Sequence, residues 1–329
     1  NHMQENDDSQ EVKDLIDFLQ NQASQETIRT LADAQDFDGR SAVKIAASFI
    51  RDIFASKLFF LGRYDLTKGS LIHESPTCLV QEAEDYDIHE YYGEKFDEYD
   101  TDQKKAMNKK KFENAVVGMN LVDAKSDSQV IRGFFDRAAK NQNGLVSKHE
   151  FVNFCLAEFG NVVVLKFMKN KDQYHKEVLV RELLQGVTNF ILGVTGKRII
   201  EDENDLDSLG NFIGSYFGDD VNKAKQYCHI LVMPFADRNL DTIFRSERPD
   251  MIMVRKYMKE IAKALAFLHS MGFIHGDLKM LNIVRIKNLL LLIDLDASAK
   301  IDTDCVGAKF SSGVLAPEMI HCFDDEKPE

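Results

Sequence analysis

The chain has 329 residues, of which 44% are hydrophobic and 29% charged, and its formal net charge is −13 at pH 7. This is an ordinary globular composition with room for two or more domains. The acidic excess argues against a nucleic-acid or anionic-membrane partner, because either would repel the chain electrostatically. No apolar run approaches the length of a membrane span. Five dispersed cysteines without metal-ligand spacing are typical of free thiols in a reducing compartment, which favours a cytoplasmic location.

Residues 1–60 predict an α-helical segment. Apolar residues share one face at helical spacing, namely Val12, Leu15, Ile16 and Leu19. The stretch from Asp36 to Ala47 resembles the turn and first helix of an ankyrin repeat, with Gly39 in the turn and Ser41 as the helix cap. A single repeat cannot bury its own apolar faces, so a plain helical extension stays open as the alternative. Either segment offers a surface for a protein partner.

Residues 61–85 predict two strands on either side of Lys68-Gly69-Ser70. Residues 86–159 then carry a different pattern. Asp100 and Asp102 open one twelve-residue loop that ends at Lys111, and a second loop starts at Ala139. The second loop supplies oxygen-bearing side chains and a glycine at the spacing of a calcium loop, namely Asn141, Asn143, Gly144 and Glu150.

The two loops resemble a degenerate pair of EF-hands. Lysines stand at the fifth, sixth and twelfth positions of the first loop, where they would repel a divalent ion and neutralise its aspartates. The second loop keeps mostly neutral ligands. We therefore favour a structural or partner-binding helix pair, while Asp100, Asp102, Asn141, Asn143 and Glu150 remain weak candidates for Ca²⁺.

Residues 160–236 predict a strand that ends near Lys166, a helix that carries Glu177, and a second apolar strand from His229 to Phe235. Glu182, about one turn further along the helix, is an alternative partner for Lys166.

Residues 237–329 contain the most informative motif, in which Asp277, Lys279 and Asn282 are followed by Asp294 after an apolar strand. A carboxylate that orients a hydroxyl, an ammonium that meets phosphate charge and two oxygen ligands for Mg²⁺ are typical of phosphoryl transfer.

These landmarks, together with Ala316-Pro317-Glu318, follow the order found in protein kinases. The chain resembles a divergent Ser/Thr protein kinase, over residues 61–85 and from residue 160 onward. The resemblance implies an α+β bilobal fold, with an antiparallel small-lobe sheet interrupted by the EF-hand-like insertion and a helical large lobe. Only eleven residues follow Glu318, so we expect the large lobe to be truncated.

The resemblance also implies roles for individual residues. Lys166, held by Glu177, would bind the α- and β-phosphates of ATP, and Asp277 and Lys279 would act on the transferred group. Asn282 and Asp294 would hold Mg²⁺. Gly69 is what remains of the glycine-rich phosphate loop. The adenine ring would contact the remaining predicted residues, namely Val80, Val164, Met233, Ala236 and Val284.

Three functions are therefore compatible with the sequence. The first, which we favour, is an active protein kinase with ATP, Mg²⁺ and a protein substrate. The second is a pseudokinase or scaffold, because Val164 narrows the adenine slot and the glycine loop is poor. The third is a small-molecule kinase, which His275-Gly276-Asp277 and Asp294-Leu295-Asp296 suggest.

Overall fold

A computed structural model describes residues 10–37, 41–45, 48–119, 128–139, 144–184 and 190–304. Several residues with predicted roles lie outside these ranges, namely Gly39, Asn141, Asn143 and Ala316-Pro317-Glu318. Within the described ranges, no helix is both long enough and apolar enough to cross a bilayer.

The N-terminal segment is helical, with α1 Gln10–Asp17, a π-helical turn Phe18–Gln22, α2 Gln25–Asp33, α3 Ala42–Ile45 and α4 Ser48–Leu58. Ser24 caps α2 by accepting a hydrogen bond from the Thr27 amide. The segment has its own apolar core, which includes Leu19 and Ile28. Arg29 ties it to the neighbouring sheet through Asp65, at 2.6 and 3.2 Å. The resemblance to an ankyrin repeat remains a prediction.

The next strands are β1 Tyr64–Asp65, β2 Leu71–Glu74 and β3 Cys78–Asp85. Both β1 and β2 pair antiparallel with β3, so they form one edge that a 3₁₀ turn at Leu66–Lys68 interrupts. Strands therefore lie on either side of Lys68–Ser70, as predicted, but they pair with β3 and not with each other. The hairpin turn lies at Ser75-Pro76-Thr77-Cys78, where the Ser75 amide donates to the Cys78 carbonyl at 2.8 Å.

The described part of the insertion contains four helices and two short strands: α5 Ile88–Tyr99, β4 Ala106–Met107, α6 Lys109–Gly118, α7 Ser128–Ala138, β5 Val146–Ser147 and α8 Lys148–Phe159. The strands β4 and β5 pair antiparallel, with Met107 opposite Val146. Each is the eighth residue of one predicted loop, so this pairing joins the two helix–loop–helix units. Phe112 packs edge-on against Phe151 and Phe154 in the centre. The insertion shares one continuous apolar core with the sheet.

The rest of the small lobe comprises β6 Val162–Met168, α9 Lys171–Leu183, β7 Gly196–Ile199, α10 Glu203–Ile213, α11 Val221–Ala224 and β8 His229–Pro234. The main sheet has the order β1-β3-β6-β8-β7, with β2 also on β3, and all its pairings are antiparallel. The Asn170 side chain caps α9 by accepting from two amides of its first turn. The helix packs against β6 and β8, which fixes the face that it turns toward the site.

The large-lobe part contains β9 Arg238–Asn239, α12 Leu240–Glu247, α13 Met251–Ser270, β10 Phe273–Ile274, β11 Ile283–Ile286, β12 Leu289–Leu292 and β13 Ala299–Lys300. Strands β9, β11 and β12 form a small antiparallel sheet, and β10 pairs with β13. The buried side of α13 packs on this sheet through Ala264 and Leu268. The antiparallel small-lobe sheet and the helical parts fit a kinase-like α+β fold, and residues 235–237 connect β8 to β9 where the resemblance predicts the hinge.

Candidate active site

The centre of the site is a buried lysine that joins three distant segments. Lys166 lies on β6, and its Nζ atom is 2.6 Å from Oε2 of Glu177 on α9 and 2.6 Å from Oδ1 of Asp294. The side chains of Lys166 and Glu177 are almost fully buried. Glu182, the alternative partner, instead pairs with Lys197 on the surface. The predicted Lys166–Glu177 pair therefore forms, and Asp294 joins it.

Electrostatics keep both members of this pair charged. Burial by itself would lower the pKa of Lys166, but the charges of Glu177 and Asp294 outweigh it and the pKa is raised. Burial would raise the pKa of Glu177, but Lys166 and Arg181 outweigh it and the pKa is lowered. Asp296 is also buried beside them and contributes to the raised pKa of Lys166.

The loop after β10 brings the other predicted polar residues together. The Nζ atom of Lys279 is 2.8 Å from Oδ2 of Asp277. The side-chain amide nitrogen (Nδ2) of Asn282 donates to the main-chain carbonyl of Asp277 at 2.8 Å and to Oδ2 of Asp277 at 3.1 Å. Asp277 and Asn282 are both buried. Asp277, Lys279 and Asn282 thus form one hydrogen-bonded cluster.

The residue before Asp294 links this cluster to the buried lysine. The amide of Ile293 donates to the Asn282 carbonyl at 3.0 Å, and the Ile293 carbonyl lies 3.0 Å from Nε2 of His275. Burial lowers the pKa of His275, so the ring is neutral near pH 7 and serves as a structural link. Asp294 itself has φ of +64°, a left-handed conformation that is uncommon for aspartate.

The five predicted adenine-lining residues also converge. Val164, Met233 and Val284 are buried in one apolar cluster, and Val80 and Ala236 pack against it. Val80 lies directly opposite Lys166 across the β3–β6 pair. The cluster therefore lies at the junction of the sheet, the hinge and the β11–β12 hairpin, beside the charged residues.

Gly69 does not lie in the turn of the β2–β3 hairpin. It lies at the interruption between β1 and β2, where a Cβ atom would come 1.9 Å from the Glu82 carbonyl oxygen. Glycine is needed there for a close backbone approach. The hairpin tip beyond Val80 has the sequence Ser75-Pro76-Thr77. Proline at the second position of a turn is a signal that sequence reasoning missed.

The donor set at the site fits a magnesium ion. The carboxylates of Glu177, Asp294 and Asp296 each offer an oxygen, and these atoms lie within 4.8 Å of one another. The side-chain nitrogen of Asn282 donates to Asp277, so the side-chain oxygen (Oδ1) of Asn282 is the atom available to a metal. Carboxylate and amide oxygens are the ligands that Mg²⁺ prefers.

The first calcium-like loop holds an ammonium group where a cation would bind. Nζ of Lys111 is 2.9 Å from Oδ1 of Asp100 and also contacts Asp102. Lys104 makes a further ion pair with Asp102 at 3.4 Å. Hydrogen bonds from Lys111 lower the pKa of Asp102. These aspartates are therefore neutralised by side chains of their own loop.

The second loop is described only from residue 144. Its predicted twelfth ligand, Glu150, accepts from the amide and hydroxyl of Ser147 at 2.9 and 2.7 Å, and the Ser147 hydroxyl in turn accepts from the Glu150 amide. This is a capping box that begins α8.

Comparisons with known proteins match the second half of the chain to protein kinases. Residues 211–328 match the family model described as "Protein kinase domain", which covers about a third of the chain. Mitogen-activated protein kinase 12 of Danio rerio is 28% identical over 113 residues, which are 33% of this chain and 31% of that protein. Serine/threonine-protein kinase PknG of Mycobacterium leprae (strain TN) is 40% identical over 65 residues, or 20% of this chain and 8% of that protein.

The matched region contains the hinge, the Asp277 loop and Asp294, while Lys166 and Glu177 lie upstream of it. The fold supplies these two residues from β6 and α9 at hydrogen-bonding distance of Asp294. The chain therefore contains a protein kinase-like domain. The matched part of this chain spans about a third of the length of the Danio rerio relative and less than a tenth of the length of the mycobacterial relative.

Proposed function

We propose that this chain is a protein kinase that transfers the γ-phosphoryl group of Mg-ATP to serine or threonine hydroxyls of a protein substrate. The observation that carries the proposal is the buried contact of Lys166 with both Glu177 and Asp294 at 2.6 Å. Burial of an ammonium between two carboxylates costs desolvation energy. Binding of the ATP phosphates by Lys166 is a function that accounts for this cost. Lys279 and the resemblance to the mycobacterial serine/threonine-protein kinase favour a protein substrate with serine or threonine acceptors.

Each polar residue has one role in the proposed reaction. Asp277 accepts the proton of the substrate hydroxyl as that oxygen bonds to the γ-phosphorus, and the bond from the γ-phosphorus to the β–γ bridging oxygen breaks to release ADP. Lys279, which lies against Asp277, stabilises charge on the transferred group. Lys166 binds the α- and β-phosphates while Glu177 holds it in place.

Asn282 and Asp294 would hold Mg²⁺, which neutralises phosphate charge when it is bound. The apolar cluster around Val164, Met233 and Val284 is the surface on which the adenine would bind. The backbone of Ala236 would supply hydrogen bonds to the adenine edge.

The decisive experiment compares Asp277→Asn with wild type in a radiolabelled ATP assay on a mixture of serine- and threonine-containing peptides. Removing a catalytic base lowers transfer by about 10²–10⁴-fold. Asp219→Asn is the matched control, because it makes the same chemical change at an exposed residue with φ of +63°, which asparagine tolerates. Equal transfer by Asp277→Asn and wild type would contradict the proposal, as would incorporation of label into a soluble alcohol but into no peptide.

A pseudokinase or scaffold is the second candidate, and two observations favour it. The adenine-lining side chains pack against one another, with Val164 and Val284 both less than 10% exposed. The tip of the β2–β3 hairpin is Ser75-Pro76-Thr77 and contains no glycine. Backbone amides approach phosphate closely where side chains are absent, so this tip is a poor phosphate-binding loop. A scaffold would give neither a Mg-ATP-dependent rise in melting temperature nor phosphate transfer, and it would retain binding to a protein partner.

We further propose that the insertion, which we interpret as an EF-hand-like pair, modulates the kinase through Lys287. Nζ of this residue, in the turn between β11 and β12, is 4.0 Å from the ring centre of Phe159 and 5.0 Å from that of Phe134. It also pairs with Glu158 at 3.6 Å. The same hairpin carries Val284 and leads to Asp294, so a shift of the insertion would reach the site.

The modulation is tested with Lys287→Met, which keeps the apolar stem and removes the charge. We expect a changed KM for ATP in the variant. An unchanged KM and kcat would contradict the proposal.

Calcium binding is tested separately. Because Lys111 already neutralises the aspartates of the first loop, we expect no heat of binding there when wild type is titrated with micromolar Ca²⁺. The N-terminal helices and the insertion remain predicted surfaces for a protein partner.

A further inference from the structure

Arg181 on α9 is a buried cation to which the proposed reaction assigns no role. Its side chain is 5% exposed, and its Nη1 atom is 2.9 Å from Oε1 of Glu177, one helical turn earlier. The same nitrogen also donates to the Glu177 main-chain carbonyl at 3.2 Å. The guanidinium therefore contacts the residue that holds Lys166.

The two cations divide the Glu177 carboxylate between them. Lys166 contacts Oε2 and Arg181 contacts Oε1. The terminal torsion of glutamate is soft and broadly populated, so one partner would leave the carboxylate free to rotate. Lys166 donates a hydrogen bond to Oε2, and Arg181 forms an ion pair with Oε1 without hydrogen-bond geometry. The two charges on opposite oxygens favour one orientation of the carboxylate, and with it the direction from which Lys166 is held.

Arg181 also connects α9 to the strand that leads to Asp294. Its Nε atom donates to the carbonyl of Leu192 at 3.0 Å. The amide of Leu192 donates to the carbonyl of Leu292 at 3.0 Å. Leu292 ends β12 two residues before Asp294. A single side chain thus connects the element that carries Glu177 with the element that carries Asp294.

The charges in the buried cluster give Arg181 a second reason to be present. Three carboxylates, those of Glu177, Asp294 and Asp296, lie within 4.8 Å of one another. Lys166 and Arg181 are the cations in direct contact with Glu177. Arg181 therefore supplies a second positive charge beside the carboxylate that holds Lys166.

We propose that Arg181 is a positioning residue of the kinase site, which orients Glu177 and thereby Lys166 for phosphate binding and transfer. The inference rests on the proposed function. It assigns to α9 a second functional residue four positions after the first, and it predicts that Arg181 acts on the reaction only through Glu177.

The test is a cycle of four proteins: wild type, Arg181→Met, Glu177→Gln and the double variant, each assayed for kcat and KM. We expect Arg181→Met to lower kcat by about tenfold, and to lower it by less than about twofold when Glu177 is already Gln, because residues that act as a unit are not additive. An equal effect of Arg181→Met in both backgrounds would overturn the proposal, since a merely structural residue would weaken both proteins alike.

Two further variants complete this experiment: one is a control, and the other replaces Arg181→Met if that variant does not fold. Glu182→Gln is the matched control, because it removes an exposed ion pair from the next residue of the same helix, and we expect wild-type kcat from it. Arg181→Lys keeps the charge but lacks the fork that reaches Glu177 and Leu192 together. Arg181→Lys replaces Arg181→Met in the cycle if Arg181→Met does not fold. We expect Arg181→Lys to lower kcat when Glu177 is present and to leave it unchanged when Glu177 is already Gln.

A readout without ATP separates failure of this inference from failure of the proposed function. If wild type transfers no phosphate, the proposed function fails, and acylation of Lys166 by an amine-reactive ester then decides the role of Arg181. We expect Arg181→Met to accelerate labelling of Lys166 several-fold relative to Glu182→Gln, with labelling quantified by mass spectrometry. Equal labelling rates in the two variants would overturn the positioning role.

Discussion

Lys166→Met is the substitution whose cost the structure defines best. The ammonium contacts Glu177 and Asp294 at 2.6 Å, and only 6% of its side chain is exposed. Removing one partner of a buried ion pair costs about 3–5 kcal/mol, because the remaining charge stays buried and uncompensated. Arg181 still contacts Glu177, and Asp294 is 20% exposed, so we expect the lower end, about 3 kcal/mol.

The assay is urea or thermal unfolding, with phosphate transfer measured in parallel. A loss of about 3 kcal/mol corresponds to a fall in melting temperature of about 6–12 °C for a cooperative unit of 150–250 residues. Phosphate transfer should also disappear, because the contact to the α- and β-phosphates is lost. Lys197→Met is the control, since it removes the exposed pair with Glu182 and should cost less than about 1 kcal/mol.

A second variant tests whether charge imbalance causes this loss of stability. Lys166→Met with Glu177→Gln removes one positive and one negative charge, so the cluster keeps its wild-type net charge. We expect the double variant to regain part of the stability that Lys166→Met loses, although it should transfer no phosphate. A double variant less stable than Lys166→Met, or a single variant within 1 kcal/mol of wild type, would refute the reasoning.

Three further predictions concern other parts of the molecule. Gly276→Ala should lower stability and phosphate transfer together, because φ is +77° and the new Cβ atom would lie 2.0 Å from the Ala297 carbonyl oxygen; Gly62→Ala, also at positive φ but in open space, is the control for denaturant midpoints. Replacing Lys104 with Asp and Lys111 with Glu should create a first-loop Ca²⁺ site that calorimetry detects and wild type lacks, and an absence of heat would contradict the assignment of Lys111 as the internal cation. Burial lowers the pKa of His229, so the folded protein should lose stability as pH falls below about 6.5, and His229→Gln should flatten this dependence; an unchanged slope of unfolding free energy against pH would contradict it.

The sequence was informative wherever function requires a particular side chain at a particular spacing. Asp277, Lys279 and Asn282 lie within six residues, and local chain geometry alone brings such neighbours together. The pairing of Lys166 with Glu177, eleven positions later, was predicted through family resemblance, with Glu182 as the alternative, and the structure forms the Glu177 pair. The apolar cluster around Val164 was predicted through family resemblance, and the structure collects its members in one place.

Turn position was harder, and the reason is physical. Gly69 looked like a phosphate-loop residue because glycine marks both tight turns and close backbone contacts. Sequence does not distinguish these uses, and here the glycine lies against the Glu82 carbonyl instead. The hairpin turn at Pro76 depends on which residues of β2 and β3 pair, and that register is set by burial of alternate side chains on β3.

The sequence by itself therefore predicted the class of chemistry that we propose, because phosphoryl transfer needs a fixed set of charged groups in a fixed order. Tertiary structure alone decided how those groups share their charge. Arg181 reaches Glu177 because both are on the buried face of one helix, and it reaches Leu192 because that helix packs beside residues 295–297, which follow β12. Lys287 contacts Phe159 across 128 positions for the same reason. Contacts between elements distant along the chain depend on packing, which no local pattern encodes.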